Sequence, residues 1–488
     1  MKKNTFRSLV VLLLATCLTA CSSARQIENA TIEYNTATVQ NEIYEQEICN
    51  TTTSSISKET VVKLSDDVVD DTTIIPEDTY ATILSFGDTL THSQVYKSAY
   101  DNATGTYDFS PIFEYVEEYV QNATISIGNF ECPMAGPEKG YSGYPCFNTP
   151  EALATDLAEL GVDLVSTGTN HSLDKGFDGL CSTLNYLDQA GIKHVGTSRT
   201  QEEQNTICFV NLNGIKGAVL CGTYGTNGIP LPSGKEFCVD LLDKNLISSH
   251  IASAKAEGAE IIIFCMHNGI EYQTKENSNQ TSWAEWLIES GVDIVLGCHP
   301  HVLQPMRMMN VTNENGEEKT GLVIFSQGNF YSSQTKPNTR NTALFEIEIK
   351  KDGATGEVSI KKATYIPLYL YDYKKDTGNI HNRYKLLDLE KIIKSYESGE
   401  DTWSEKFYNL ALTETERIYN TIGPEIDNTI SEWEHKECQT LFKFWHSFFI
   451  NKCFFAPSPK TVKILISQQS MLLIHLFLLL LVPLYLYL

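Results

Sequence analysis

From Tyr80 onward the chain alternates between two hydrophobic rhythms. Compact apolar runs at 81–86, 123–127, 162–166, 217–221, 260–266, 292–296 and 322–326 have the length and composition of buried strands, and each is followed within a few residues by Gly, Asn or His. Between them, 109–121, 150–160, 173–190, 242–257 and 282–290 repeat apolar residues at helical spacing. Strands alternating with helices predict an α/β layered domain over 80–383. In open α/β sheets ligands bind beyond the carboxyl ends of the strands, which is where the polar residues of this chain fall. Residues 384–435 read as one or two amphipathic helices rich in acids, packed on that body or extending from it.

Outside this region the rhythm is lost. Residues 22–79 are rich in Thr, Ser, Asn and acids without a sustained apolar period, the composition of a self-repelling tether, so 21–79 reads as an acidic spacer. Residues 1–20 begin with Lys2, Lys3 and Arg7, continue through the apolar run 9–14, and end on Leu18, Thr19 and Ala20 before Cys21. That order is a secretory signal, and its end resembles a bacterial lipobox. The resemblance implies cleavage before Cys21, lipidation of that cysteine, and a lipoprotein held on the outer face of a bacterial membrane. An ordinary cleaved secretory peptide is the alternative. Residues 436–488 turn apolar and aromatic, and the uncharged stretch 471–488 is just long enough for ~30 Å of hydrocarbon. The lysines before it run against the positive-inside tendency, so a membrane segment and an atypical terminus both stand open.

Composition narrows the function. With 42% hydrophobic and 20% charged residues among 488, the chain can bury a core, and its net charge of −24 argues against a nucleic-acid binder. Divided along the chain, the charge is +3 over 1–20, −9 over 22–79, −22 over 80–435 and +4 over 436–488. Thirteen cysteines contain no C-x-x-C pair, which argues against a zinc knuckle. Cys221, Cys265 and Cys298 sit in apolar runs as small hydrophobes, and only Cys132 and Cys146, flanking a Pro/Gly-rich loop, suggest a disulfide. Neither a phosphate-binding G-x-x-x-x-G-K-[ST] nor a G-x-S-x-G nucleophile elbow occurs.

Five polar clusters end the expected strands. They are Gly87-Asp88 with His92 following, Asn129-Phe130-Glu131, Thr169-Asn170-His171-Ser172-Leu173-Asp174, Met266-His267-Asn268-Gly269-Ile270-Glu271, and Gly297-Cys298-His299-Pro300-His301. A lone histidine at a strand end is usually a paired structural residue. Five such clusters on one sheet edge gather carboxylate, amide and imidazole donors for which packing has no use. The donor set suits divalent Mn, Fe or Zn rather than a soft-thiolate metal. Two ions about 3.5–4 Å apart need a shared carboxylate between them. A degenerate site that holds no metal is the alternative.

These clusters, with Tyr224-Gly225-Thr226-Asn227-Gly228, the run from His299 to Pro305 and Ser326-Gln327-Gly328-Asn329-Phe330, resemble the CapA family of bacterial capsule and poly-γ-glutamate biosynthesis proteins from about 82 to 367. The resemblance implies a layered α-β-β-α sandwich of the calcineurin-like metallophosphoesterase type with a C-terminal helical extension. It implies two divalent ions, one served by Asp88 and His301 and one by Asn170, His267 and His299, with Glu131 in the bridging place. His171 would be the general acid, oriented by Asp174, and Glu271 would orient His267 from beside the substrate cleft. Asp174 has a second reading as the cap of the helix 173–190. Tyr224, Asn227 and Gln304 would line the cleft; His92 departs from the Asp-x-His spacing of phosphoesterases and is placed in the cleft rather than on a metal. Asn268, Cys132 and Arg307 also depart from the family pattern, which touches substrate preference. The implied function is a surface-anchored protein of capsule or poly-γ-glutamate synthesis, export or anchoring, with a metal-dependent hydrolase or transferase site acting on a phosphoester or a γ-glutamyl amide. Its partners would be the anionic polymer or its synthase and export complex. A non-catalytic polymer-binding or scaffold component is the alternative.

Overall fold

The structure, a computed structural model, describes residues 76–428 apart from 313, 314 and 401. The lipobox-like residues, almost all of the acidic tether and the apolar tail lie outside them. Among the described residues no helix is long and apolar enough to cross a membrane.

The first third of the body lays down parallel strands. β1 (Thr79–Thr89) leads through α1 (Ser93–Ala99) and α2 (Glu117–Asn122) to β2 (Ile125–Phe130). α3 (Ala152–Leu160), β3 (Leu164–Ser166), α4 (Gly176–Ala190) and β4 (Lys193–Val195) follow. The periodicity of 109–121 predicts one helix, but a 3-10 turn at Ser110–Ile112 precedes the short α2. Here Asp108 accepts the Ser110 N–H at 3.0 Å, Asp156 accepts that of Phe109 at 2.6 Å, and Pro111 opens the turn. Phe109, Phe113 and Val116 are buried at 0–2% exposure, so tertiary packing overrides the helical period.

The middle third builds a second sheet from β5 (Cys208–Leu212), β6 (Ile215–Thr223), β7 (Ile261–His267), β8 (Ile294–Cys298), β9 (Met306–Thr312) and β10 (Glu318–Ile324), with α5 (Lys244–Ala256) and α6 (Ser278–Ser290) between strands. The chain then returns to the first sheet through β11 (Asn329–Tyr331), β12 (Asn341–Lys351), β13 (Val358–Asp372) and β14 (Tyr384–Asp388). Two helices, α7 (Leu389–Ser398) and α8 (Glu405–Ile422), and the two-residue β15 (Ile426–Asp427) complete it.

The first sheet runs β14-β13-β12-β1-β2-β3-β4, with β11 on β1 and β15 on β13; the second runs β9-β10-β8-β7-β6-β5. One apolar core joins Ile83, Ile127 and Leu164 of the first sheet to Val219, Ile263 and Leu296 of the second, so the sheets pack face to face. A second core buries Leu84, Phe86 and Val165 against Leu153, Leu157, Leu180 and Leu184 of α3 and α4. A third buries Leu220, Phe264 and Val295 against Ile247, Ile251, Leu287 and Ile288 of α5 and α6. The layering is therefore α-β-β-α, as expected. Strands buried on both faces read as continuous apolar runs, which is why the period-2 signal is weak in β1 and β7.

The expected boundary at 383/384 runs through this sheet rather than between domains. Residues 384–388 are a strand paired with β13, and α7 and α8 contribute Ile392, Ala411, Ile418 and Ile422 to the core between the layers. The helices contribute to this core and lie against β13, so of the two expected placements they take the packed one.

Candidate metal centre

Two strand ends, one from each sheet, meet at the site. Asp88 is the penultimate residue of β1 and His299 follows β8, with Gly87 directly before the first and Gly297 two residues before the second: a Cβ on Gly87 would stand 1.9 Å from the Gly328 carbonyl oxygen, and one on Gly297 2.1 Å from that of Phe325. Only glycine permits these backbone approaches. The touching segment is Phe325 to Gly328, the crossing from β10 to β11; Asp88 N–H donates to Gly328 O at 2.8 Å and Gln327 N–H to Gly297 O at 2.9 Å. The Ser-Gln-Gly-Asn-Phe motif thus stitches the two sheets together beneath the site. Asn170 and His171 come from a tight turn after β3 that Ser172 closes, its Oγ accepting the Thr169 N–H at 2.8 Å and donating to Thr167 O at 2.7 Å.

Two groups of potential ligands form, Glu131 with His267 and His299, and Asp88 with Glu131 and His301; within each group the ligand atoms lie within 4.8 Å of one another. All five residues are buried. Asp88 Oδ2 lies 3.0 Å from His301 Nδ1, and Glu131 stands between the groups, 3.5 Å from His267 Nε2 and 3.7 Å from His301 Nδ1. Asn170 Oδ1 lies 2.8 Å from His267 Nε2. Both Glu131 oxygens and His299 Nδ1 are buried without a hydrogen-bond partner. Unpartnered buried acceptors of this kind are costly, and divalent cations held by these residues would satisfy them. The residues therefore fit divalent metal ions.

The electrostatics of the groups follow from the same burial. Burial, reinforced by Asp88, pushes the Glu131 carboxyl well above the usual range. Burial also raises Asp88, but the imidazoles around it, His301 first, outweigh that and hold it below its ordinary value. Burial pulls His267 down to about 3 and His299 well below the imidazole range. His301 resists burial because Glu131 and Asp88 face it, and it is raised to about 9.

His171 lies beside the groups, with Asp174 Oδ2 2.8 Å from its Nδ1. α4 starts at Gly176 with Lys175 as its N-cap, so the reading of Asp174 as the cap fails; the carboxylate instead also accepts the Phe147 N–H at 2.7 Å. Phe147 stands edge-on to His171 at 4.7 Å and to His92 at 5.3 Å between ring centroids. His92 precedes α1, belongs to neither group of ligands, and is separated from His171 by this ring. Asn227 joins the site, accepting from Asn170 Nδ2 at 3.1 Å and lying 3.5 Å from His171 Nδ1. The Tyr224 ring lies 4.6 Å from that of His299.

Three expectations are corrected. Glu271 does not reach His267, whose ring nitrogens face Asn170, Glu131 and Asn129; it is exposed and lies against Tyr272. Gln304 does not line the cleft: fully buried, it donates to the Gln273 and Lys275 carbonyls and accepts from Gln280, pinning the loop before α6. Cys132 and Cys146 are free thiols, the first bonded to Thr89 O and the second to Asp174 O. Asn129, given no role from sequence, donates to Asp88 Oδ1 at 2.9 Å and accepts from Ser166 at 2.7 Å. Its place in the Asn-Phe-Glu cluster was the available signal.

The chain is 26% identical over 253 residues to the capsule biosynthesis protein CapA of Bacillus anthracis, covering 50% of this chain and 58% of that protein. It is 28% identical over 282 residues to the PGA biosynthesis protein CapA of Bacillus subtilis (strain 168), covering 54% and 69%. Among solved structures it is similar to the NAD nucleotidase of Haemophilus influenzae, with 14% identity, a TM-score of 0.38 and coverage of 70% and 61%. It is also similar to the calcineurin-like phosphoesterase YfkN from Bacillus subtilis, with 16% identity, a TM-score of 0.36 and coverage of 70% and 98%. The family model described as bacterial capsule synthesis protein PGA_cap matches residues 82–334, a span that contains both ligand groups, and the chain belongs to that family.

Proposed function

We propose that the protein is a metal-dependent hydrolase or transferase that acts on an anionic capsule polymer, in the way its relatives' names connect them with capsule and PGA biosynthesis. The observation that carries this is Glu131, whose two buried, unpartnered oxygens stand between two imidazole-bearing groups. Asp88, Glu131, Asn170, His267, His299 and His301 would hold the ions. Bound divalent ions supply Lewis acidity and neutralise negative charge on the substrate. The chain supplies the proton: with Nδ1 of His171 committed to Asp174, Nε2 is the atom that protonates a leaving alkoxide or amine. Asn227 holds the Asn170 amide and abuts His171, keeping both in place. We read Cys21 as the lipid anchor on the outer membrane face, and the acidic tether as the spacer that lifts the site towards the polymer and its export machinery.

The test is metal analysis of the purified protein, followed by turnover of a phosphodiester and of poly-γ-glutamate with Mn, Fe or Zn. Retained metal, activity abolished by EDTA, and loss of about 10²–10⁴-fold in His171→Ala are expected. No retained metal, with turnover indifferent to His171→Ala and His299→Ala, would sink the reading. Polymer binding without turnover would turn it towards a polymer-holding component.

A further inference from the structure

A cavity of about 310 Å³ is bordered by β4, β5, β6 and α5, and none of the candidate metal ligands lines it. That volume is at the lower end of ligand pockets. Its lining includes two polar side chains more than nine-tenths buried, Asp240 and His250, at 6% and 7% exposure. The backbone fixes Asp240 from both sheets: its N–H donates to Gly196 O, just past β4, at 2.9 Å, and its carbonyl accepts the Thr223 N–H, at the end of β6, at 2.9 Å.

The two side chains are only half satisfied. Gln204 Nε2 donates to Asp240 Oδ1 at 2.8 Å, and Oδ2 makes no hydrogen bond among the described residues. The Gln204 carbonyl faces the His250 imidazole, while Nε2 of that ring is buried with no partner. Burial holds the imidazole below its ordinary value, so it is neutral. With its one proton turned to the carbonyl, Nε2 is left as a lone pair. Both unused atoms are therefore acceptors, and both belong to groups held by the same glutamine.

The cations of the lining are committed elsewhere. Arg199 is engaged by Glu203 and by Asp188 at 2.6 Å, Lys193 donates to Phe209 O at 2.7 Å, and His194 lies 3.1 Å from Asp188. A metal ion does not fit either, since the described residues gather three ligand atoms within 4.8 Å of one another only at the metal centre. The remaining walls are aliphatic, from Val195, Ile207, Val219 and Leu220. Two acceptors among apolar walls match a ligand that brings several N–H donors on a hydrocarbon stem; an alcohol brings one donor and a carboxylate none. An ammonium also supplies the counter-charge that Asp240 lacks, its carboxyl being pushed up to about 7 by burial.

We propose that this cavity is a second binding site, for a small aliphatic primary amine, recognised through Asp240 Oδ2 and His250 Nε2 with its stem against the aliphatic walls.

Ligand-observed NMR on the full-length protein near pH 8 tests this with n-butylammonium, n-butanol and butyrate at matched ionic strength. Saturation transfer to butylammonium is expected, with little to the alcohol and none to the acid. Asp240→Asn keeps the shape and the acceptor for Gln204, so it should melt no lower than wild type yet bind butylammonium about tenfold or more weakly, having lost a charged hydrogen-bond partner. His250→Leu should weaken it about three- to tenfold. Glu131→Gln, at the metal centre, should leave it unchanged. No transfer to butylammonium, equal transfer to all three probes, or unchanged affinity in both cavity variants would overturn the site, as a cavity that holds only water would give. Transfer lost in Glu131→Gln but kept in Asp240→Asn would also overturn it, by placing the amine among the metal ligands.

Discussion

Single residues here show how burial converts a common side chain into a specialised one. Glu131 and Asp88 are both fully buried acids a few ångströms apart, yet one is pushed up and the other held down, because His301 bonds to Asp88 directly and only approaches Glu131. Asp240 shows the same physics away from the metal centre. It lines a cavity of about 310 Å³ with Arg199, Cys208 and His250, and burial pushes its carboxyl up to about 7 although Gln204 Nε2 donates to it at 2.8 Å. Its folded value lies above the unfolded one near 3.8, so the folded protein holds the proton longer. Its contribution to stability is then intact below about pH 4 and is lost as the pH rises towards 7, by up to about 1.4 kcal/mol per pH unit. Asp240→Asn keeps the acceptor for Gln204 without the charge. In urea denaturation it should match wild type near pH 4 and exceed it near pH 8; an equal difference at both would refute the assignment. None of this was legible in the sequence, where Asp240 is one acid among 61 acidic residues.

At the scale of elements, the ends matter more than the middles. α6 begins four residues before its apolar period does, because Asn277 and Gln280 form a reciprocal cap: Asn277 Oδ1 accepts the Gln280 N–H at 3.0 Å, and Gln280 Oε1 accepts the Asn277 N–H at 3.1 Å. Gln280 is also fully buried, and its Nε2 donates to Gln304 Oε1 and Phe325 O. Asn277→Ala should therefore cost about 1 kcal/mol. Gln280→Ala should cost about 1–3 kcal/mol, since it strands the buried groups of Gln304 and Phe325 as well. Urea midpoints that rank the two variants the other way would contradict this account. Strand positions were readable to within a few residues because their cores are apolar runs. β2 was expected to stop at 127 and runs to Phe130, because Asn129 and Phe130 go on pairing with Asp88 and Thr89 of β1. That extension sets Glu131 into the site.

For the whole molecule, the decisive feature is that the chain leaves the first sheet, builds the second, and comes back. The return strands and the α7–α8 hairpin close the core that the first sheet cannot cover alone. Tyr365 Oη donates to Gly423 O at 2.6 Å and Asn341 Nδ2 to Glu414 Oε2 at 2.8 Å, tying the hairpin to β13 and β12. Three buried isoleucines of the hairpin, at about 1.5–3 kcal/mol each, rival the net stability of about 5–15 kcal/mol typical of a domain. A chain ending at 388 should consequently be insoluble or rapidly proteolysed where one ending at 428 is not; equal resistance to limited proteolysis would show the hairpin to be dispensable. By itself the sequence determined the α/β alternation and the strand ends that carry Asp88, Glu131, Asn170, His267, His299 and His301, because apolar period and local punctuation are properties of neighbouring residues. Only the tertiary structure decided that Gln304 is a buried strut, that Glu271 faces Tyr272 rather than His267, and that 384–422 belongs to the core. Those facts depend on which distant segments meet, and no periodicity along the chain records that.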